Sequence, residues 1–251
     1  MMKRLVATAI AAYLVFLIVM LPANLLLPLV SEQIPDLTLN GVEGTVWRGA
    51  ARSVAYGDIH AGELEWKARP LWLLLGQWNT AVQLDGPMNT RADIGFSLTG
   101  KINISNATID ADLTAVSRYL PQASVLALRG ELSGLIESLV VQKGDLLEIE
   151  GTFMLNNLAA GDLSLGDFSA EAATPVDGTK RLDFNSVGRE GLDAEGELSL
   201  DQQDKITLDL LIRNPEHLGD LSGLFRKFSS EEQDGNRLRW TGDRALLNNF
   251  L

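Results

Sequence analysis

The chain contains two histidines, His60 and His217, and neither has a second imidazole at ligand spacing. Without H-x-H, H-x-x-x-H or H-E-x-x-H, a metal held by either would need distant acidic ligands. Both read as surface or cap histidines. There is no cysteine, which removes thiol nucleophiles, zinc ribbons, cysteine-ligated iron–sulfur clusters and disulfide frameworks. A serine nucleophile needs a base and a presenting turn such as G-x-S-x-G, and no such turn occurs. Gly44-Thr45-Val46-Trp47-Arg48-Gly49 has the glycine spacing of a phosphate-binding loop. Ala50-Ala51, however, stands where Lys and Ser/Thr must be, so this is not a nucleotide site.

The carboxylates give no better catalyst. Glu148 with Glu150, and Glu195 with Glu197, lie two residues apart in strand-like sequence, so each pair shares one face. Glycosidase pairs must flank a substrate in a cleft, whereas these alternate with apolar residues and point to solvent. Asp110 and Asp112 lack the loop of several oxygen ligands that would make a calcium site. The expectation is a non-enzyme without cofactor or metal. The formal net charge of −12 argues against nucleic acid, which needs a basic patch. It also favours solubility and repulsion from anionic lipid headgroups.

The elements that carry these residues are mostly strands. Ile94, Phe96, Leu98, Gly100, Ile102 and Ile104 alternate with polar or small residues, and Ile109, Ala111 and Leu113 continue in the opposite parity. The switch at Asn103-Ile104-Ser105-Asn106 implies a turn or bulge. Leu147, Ile149, Gly151, Phe153 and Leu155 form another ladder. A hairpin is predicted from Leu192, Ala194, Gly196, Leu198 and Leu200, through Asp201-Gln202-Gln203-Asp204, to Ile206, Leu208, Leu210 and Ile212. Asp193, Glu195 and Glu197 fall on its opposite face. One wet face implies a mostly antiparallel sheet.

Helical signals are few. Asn214-Pro215-Glu216 reads as a cap, a first-turn proline and an early acid. Leu218, Leu221, Leu224, Phe225 and Phe228 follow at helical spacing, ending at Arg226-Lys227. Shorter helices are expected over 114–120 and 69–76. The plan strand, short helix, strand recurs over 113–132 and 210–240, without enough identity to make a repeat.

The N-terminus reads as a membrane anchor. After Lys3-Arg4 no charge occurs until Glu32, and only Thr8 and Tyr13 interrupt the run from Leu5 through Phe16 to Leu21. After Pro22 the apolar character resumes through Leu26 to Val30. A span needs about 20 apolar residues, which Leu5 to Leu26 supplies. No A-x-A cleavage pattern favours a removable signal peptide. The two basic residues predict a cytoplasmic N-terminus and translocation of the remainder. The expected organisation is an anchor over 1–30 and an outer β-rich domain over 31–251, with two or three short helices on an extended, curved sheet.

Four of the five tryptophans lie between residues 47 and 78. The first frame, Gly44-Thr45-Val46-Trp47 with Gly49, is a glycine-broken strand in which a large ring covers backbone that lacks side chains. The second is Trp66-x-x-x-Pro70 followed by Leu74-Leu75-Gly76, a strand turned by proline into a short apolar helix that glycine stops. Packing at the sheet end is expected for these rings rather than a place in a membrane-interface belt.

With the N-terminal anchor, these motifs resemble the type II secretion system protein N family of Gram-negative bacteria. The resemblance implies a single-pass inner-membrane protein with a periplasmic domain, accessory to the machine that moves folded proteins through an outer-membrane secretin. Its partners would be other secretion-system subunits of the inner-membrane platform or the secretin, with membrane lipid met through the anchor. The β-rich part is also similar to the broader AsmA-like envelope proteins. That alternative implies an apolar sheet face that binds or shields lipid.

Overall fold

The computed structural model describes residues 6, 13, 16–28, 36–57, 59–70, 77–97, 99–117, 127–143 and 145–243. Alternating sequence becomes strand almost everywhere after residue 36. The strands are β1 (Leu37–Gly44), β2 (Arg48–Tyr56), β3 (Ile59–Ala68), β4 (Gln77–Asp85), β5 (Met88–Ser97), β6 (Lys101–Asp112) and β7 (Leu128–Gln142). They continue as β8 (Asp145–Ala160), β9 (Leu163–Ala173), β10 (Lys180–Gly191), β11 (Ala194–Leu200), β12 (Lys205–Ile212), β13 (Ser230–Glu232) and β14 (Gly235–Asp243). All fourteen form one sheet in sequence order, except that β14 lies between β12 and β13. Every pairing is antiparallel. The mostly antiparallel, β-dominated expectation stands.

Register separates the faces, because directly opposed residues in an antiparallel ladder project to the same side. One row runs Val42, Ala51, Leu64, Leu84, Thr90, Ile109, Gly134, Phe153, Ala170, Phe184, Gly196, Leu210, Leu238. It crosses thirteen strands without a charged residue. The adjacent row lies on the other face and ends in Glu171, Asp183, Glu197, Asp209 and Arg239. The sheet is therefore apolar on one side and charged on the other.

Among the described residues, little covers the apolar side. The chain exposes 16733 Å², where a compact monomer of this length exposes about 10,900 Å². The main cluster of buried side chains sits at one end, where Phe168, Leu192, Ala194 and Ile212 pack with the partly buried Leu155, Leu158, Leu165, Leu210, Leu218 and Phe225. Leu218 and Phe225 arrive from the segment between β12 and β13.

That segment departs from its expected single helix. It is a 3₁₀ turn over Pro215–Leu221, interrupted at Gly219 (φ 54°, ψ −128°), then a short α-helix over Ser222–Phe228. Asn214 makes no helix-capping hydrogen bond. Its side chain accepts from the Asp193 N–H at 2.6 Å and donates to the Gly191 carbonyl at 3.0 Å. It thus fixes the β10–β11 turn instead. Phe228, placed by the spacing on the apolar face, is 70% exposed. Of the helix expected over 114–120, the described part is α-helix over Leu113–Ser117, opened by the Asp112 carboxylate accepting from the Thr114 N–H at 2.8 Å.

The parity switch near residue 104 is a bulge inside one unbroken strand. Asn106 takes φ 51° and the β5–β6 register shifts between Arg91 and Asp93. Asparagine tolerates that left-handed geometry better than other side-chain-bearing residues. The extra residue returns Ala107 and Ile109 to the face of Ile102 and Ile104. The β11–β12 hairpin has the expected register, Leu200 opposite Ile206 and Ala194 opposite Ile212, with the Asp201 carboxylate accepting from the N–H groups of Gln203 and Lys205.

Three aromatic rings lie over cross-strand glycines: Trp66 opposite Gly49, Phe153 opposite Gly134 and Phe184 opposite Gly196. A Cβ on Gly196 would stand 2.5 Å from Phe184 Cζ and 2.7 Å from the Asp209 carbonyl oxygen. Gly196→Ala is expected to destabilise by about 1–3 kcal/mol through overpacking, read as a lower urea midpoint at unchanged slope.

On the charged face, opposed carboxylates repel, and arginines offset part of this. Arg237 Nε and Nη2 meet Asp209 Oδ1 and Oδ2 at 2.6 and 3.0 Å, and Arg239 Nε meets Oδ2 at 3.2 Å. The Arg237 hydrogen bonds hold the Asp209 carboxyl below its usual range, with Arg239 adding to this and partial burial opposing it. A depressed folded-state pKa contributes stability above the unfolded value of about 3.9. That stability is lost as pH falls through the folded value. Thermal melts should place Asp209→Asn below the wild type near neutral pH, with the gap closing in acid below about pH 4.

Candidate functional site

The tryptophan-rich end of the sheet meets the N-terminal apolar segment. Val6, Tyr13 and residues 16–19 are helical, and the helix stops at Met20 before Pro22, whose extended backbone (φ −70°, ψ 143°) breaks it. A 3₁₀ turn over Ala23–Leu26 follows. The stretch from Leu5 to Leu26 is thus not one continuous helix, because proline cannot donate to the helical ladder and restricts the residue before it. Leu5 lies outside the described residues. Phe16 and Leu21 are exposed, and Leu26 sits in the 3₁₀ turn. Among the described residues, no helix is long and apolar enough to cross a membrane.

The sheet supplies donors where this segment needs them. A helix ends with carbonyls that have no partner within it. Here the Trp47 indole Nε1 donates to the Ile18 carbonyl at 2.8 Å, and the Val46 N–H donates to the Leu21 carbonyl at 2.9 Å. Pro22 and Thr45 form an isolated antiparallel bridge. Ala23 and Val46, 2% and 4% exposed, are among the most buried side chains.

The motif residues build this contact. Gly44 has φ +91°, and a Cβ there would stand 2.5 Å from the Arg48 carbonyl oxygen, so the tight β1–β2 turn excludes a side chain. Thr45 N–H donates to that carbonyl at 2.8 Å, and the Thr45 hydroxyl accepts from the Arg48 N–H at 3.2 Å. Gly49 leaves the space that the Trp66 ring fills. Trp66 Nε1 donates back to the Val46 carbonyl at 3.2 Å. Pro70 follows β3 on an exposed turn, while Leu74, Leu75 and Gly76 lie outside the described residues, as does most of the helix expected over 69–76.

Trp78 is the residue that sequence reasoning left out of the motifs. Its ring stacks on Trp47 with centroids 5.2 Å apart and planes at 21°, and its Nε1 donates to Thr80 Oγ1. The crowding of tryptophans in this stretch was the only signal for it. Trp47, Trp66 and Trp78 are each half-buried at the sheet end.

The groups weighed for chemistry stay apart. His60 and His217 are exposed on β3 and in the 3₁₀ turn after β12. Glu148 and Glu150 are exposed on β8, and Glu195 pairs with Arg213. No cluster of three histidine or acidic side chains able to hold a metal occurs among the described residues.

No curated protein and no solved structure matches the chain. Over residues 35–236, from before β1 into β14, it matches the family of the type II secretion system (T2SS), protein N. A match over that much of the chain carries the assignment: this protein belongs to the type II secretion system protein N family, a family of secretion components rather than catalysts.

Proposed function

We propose that the protein is an inner-membrane-anchored accessory component of type II secretion, supporting export of folded proteins through protein–protein contacts in the periplasm. Residues 1–30 form the cytoplasmic N-terminus and single span, and residues 31–251 the periplasmic domain. Family membership supports the secretion role. The observation that carries the anchored reading is the capping of the Ile18 and Leu21 carbonyls by Trp47 and Val46. Those donors orient the sheet on the apolar segment, so tethering raises the effective concentration of subunits in the same membrane.

The partner-facing element is β1. Among the described residues it pairs with β2 alone, and its sequence LTLNGVEG contains no proline or lysine to block an added strand. The opposite edge, β13, is three residues long, fully exposed and carries Glu231 and Glu232, a short charged edge of the kind that discourages pairing. Partner recognition is by strand addition at β1 beside the anchor, with another secretion-system subunit as the donor.

Two experiments test this. Trp47→Phe keeps the stacking ring but removes the indole donor, so it should cost about 1 kcal/mol of stability and lower export of a type II substrate. Export equal to wild type at matched protein level would count against the anchor contact. A photoreactive residue at Thr38 on β1 should crosslink in intact cells to a secretion-system subunit, with Glu231 on β13 as the control. Equal crosslinking from both edges, or none from Thr38, would reject β1 as the docking edge.

A further inference from the structure

The apolar face carries an open groove of about 580 Å³ across β7 to β12, floored by side chains such as Ile149, Phe153, Ala170, Leu182, Leu198 and Ile206. We infer that this groove holds the acyl chains of a phospholipid, with the headgroup phosphate on Lys180. This reaches beyond the secretion role, which needs no small ligand.

The lining decides the class of occupant. An extended peptide laid on aliphatic carbon would leave its N–H and C=O groups without partners, at a cost of kilocalories each. An acyl chain has no polar group to satisfy, and the volume falls within the range of small-ligand sites.

The two ends of the groove differ. At one end it is closed by the cluster that includes Leu218 and Phe225, and Leu155 belongs to both cluster and groove. At the other end lies Lys180, directly opposite Leu200 in register and so on the apolar face. It lines the groove and makes no ion pair among the described residues, whereas the neighbouring Arg181 is held by Glu197 on the charged face. Among the described residues Lys180 is thus an unpaired ammonium at the mouth of an apolar groove, complementary to a phosphate that stays near water while its chains are buried.

In a meander every second connection lies on the same edge of the sheet. The β1–β2 turn that grips the N-terminal apolar segment, the β9–β10 turn before Lys180 and the β11–β12 turn after Leu200 share one edge. The closed end lies on the opposite edge. The Lys180 end of the groove and the β1–β2 turn thus lie on the same edge of the meander, many strands apart.

The test uses the full chain, purified in detergent and incubated with either dioleoylphosphatidylethanolamine or dioleoylglycerol, which lacks the phosphate. Bound lipid is read by native mass spectrometry. Wild type should retain phospholipid in preference to diacylglycerol. Ala170→Trp fills the groove opposite Phe153 and Phe184 and should lower phospholipid occupancy about tenfold in apparent affinity. Leu198→Gln, at a side chain 39% exposed and so tolerant of substitution, places an amide in the channel and should act in the same direction if Ala170→Trp does not fold. Lys180→Gln should bind both lipids equally. Undiminished phospholipid in both groove variants would assign the lipid to the anchor and overturn the proposal. So would an unchanged phospholipid preference in Lys180→Gln, or a lipid-free dimer, which would give the face to a second copy.

Discussion

A sheet with one apolar face has to find cover for it, and the described residues of this chain supply very little. Domains are ordinarily two packed layers around a shared core. Here fourteen strands form one layer; among the described helical pieces, Leu218 and Phe225 reach the buried cluster at one corner and the helix Leu113–Ser117 packs beside β6 and β7. The row from Val42 to Leu238 therefore has to be stabilised mainly within the sheet. Aromatic rings lying over opposed glycines achieve this in the plane: Trp66, Phe153 and Phe184 each occupy space that a neighbouring strand leaves vacant. The same constraint explains why, among the described residues, no large side chain is fully buried.

The other face answers a different problem. Opposed carboxylates at Glu171, Asp183, Glu197 and Asp209 are an electrostatic cost, only partly offset by Arg181, Arg237 and Arg239. A like-charged row disfavours stacking of this face on a second copy of itself, and the short acidic β13 discourages pairing at one edge. These devices leave the apolar face and β1 as the surfaces without such protection.

Much of this was legible in the sequence, for identifiable reasons. Period-two alternation fixes which residues share a face, so the β11–β12 hairpin and its register follow from Ala194 through Ile212 alone. Asn106 marks the parity change because few other side chains tolerate its backbone. The segment after β12 was misread because Leu218, Leu221, Phe225 and Phe228 have helical spacing, while the backbone turns at Gly219 and Asn214 is committed to the neighbouring β10–β11 turn. Spacing is local, and that hydrogen bond spans 21 residues. The contact between Trp47 and Ile18 was hidden for the same reason: it spans 29 residues and leaves no period in the sequence. The tryptophans announced a packed sheet end without naming what packs on it.

That contact matters because of where helix carbonyls are left unpaired. At the end of an apolar helix the last C=O groups have no helical partner, and in a membrane boundary region few waters replace one. The Ile18 carbonyl accepts from Trp47 Nε1 as well as from the Leu21 N–H, the Leu21 carbonyl accepts from the Val46 N–H, and Pro22 bridges to Thr45. The bonds that satisfy the helix end also set its direction relative to β1 and β2. A flexible linker would let the sheet swing freely about the N-terminal apolar segment. A capped junction instead fixes how the β1–β2 end of the sheet sits on that segment.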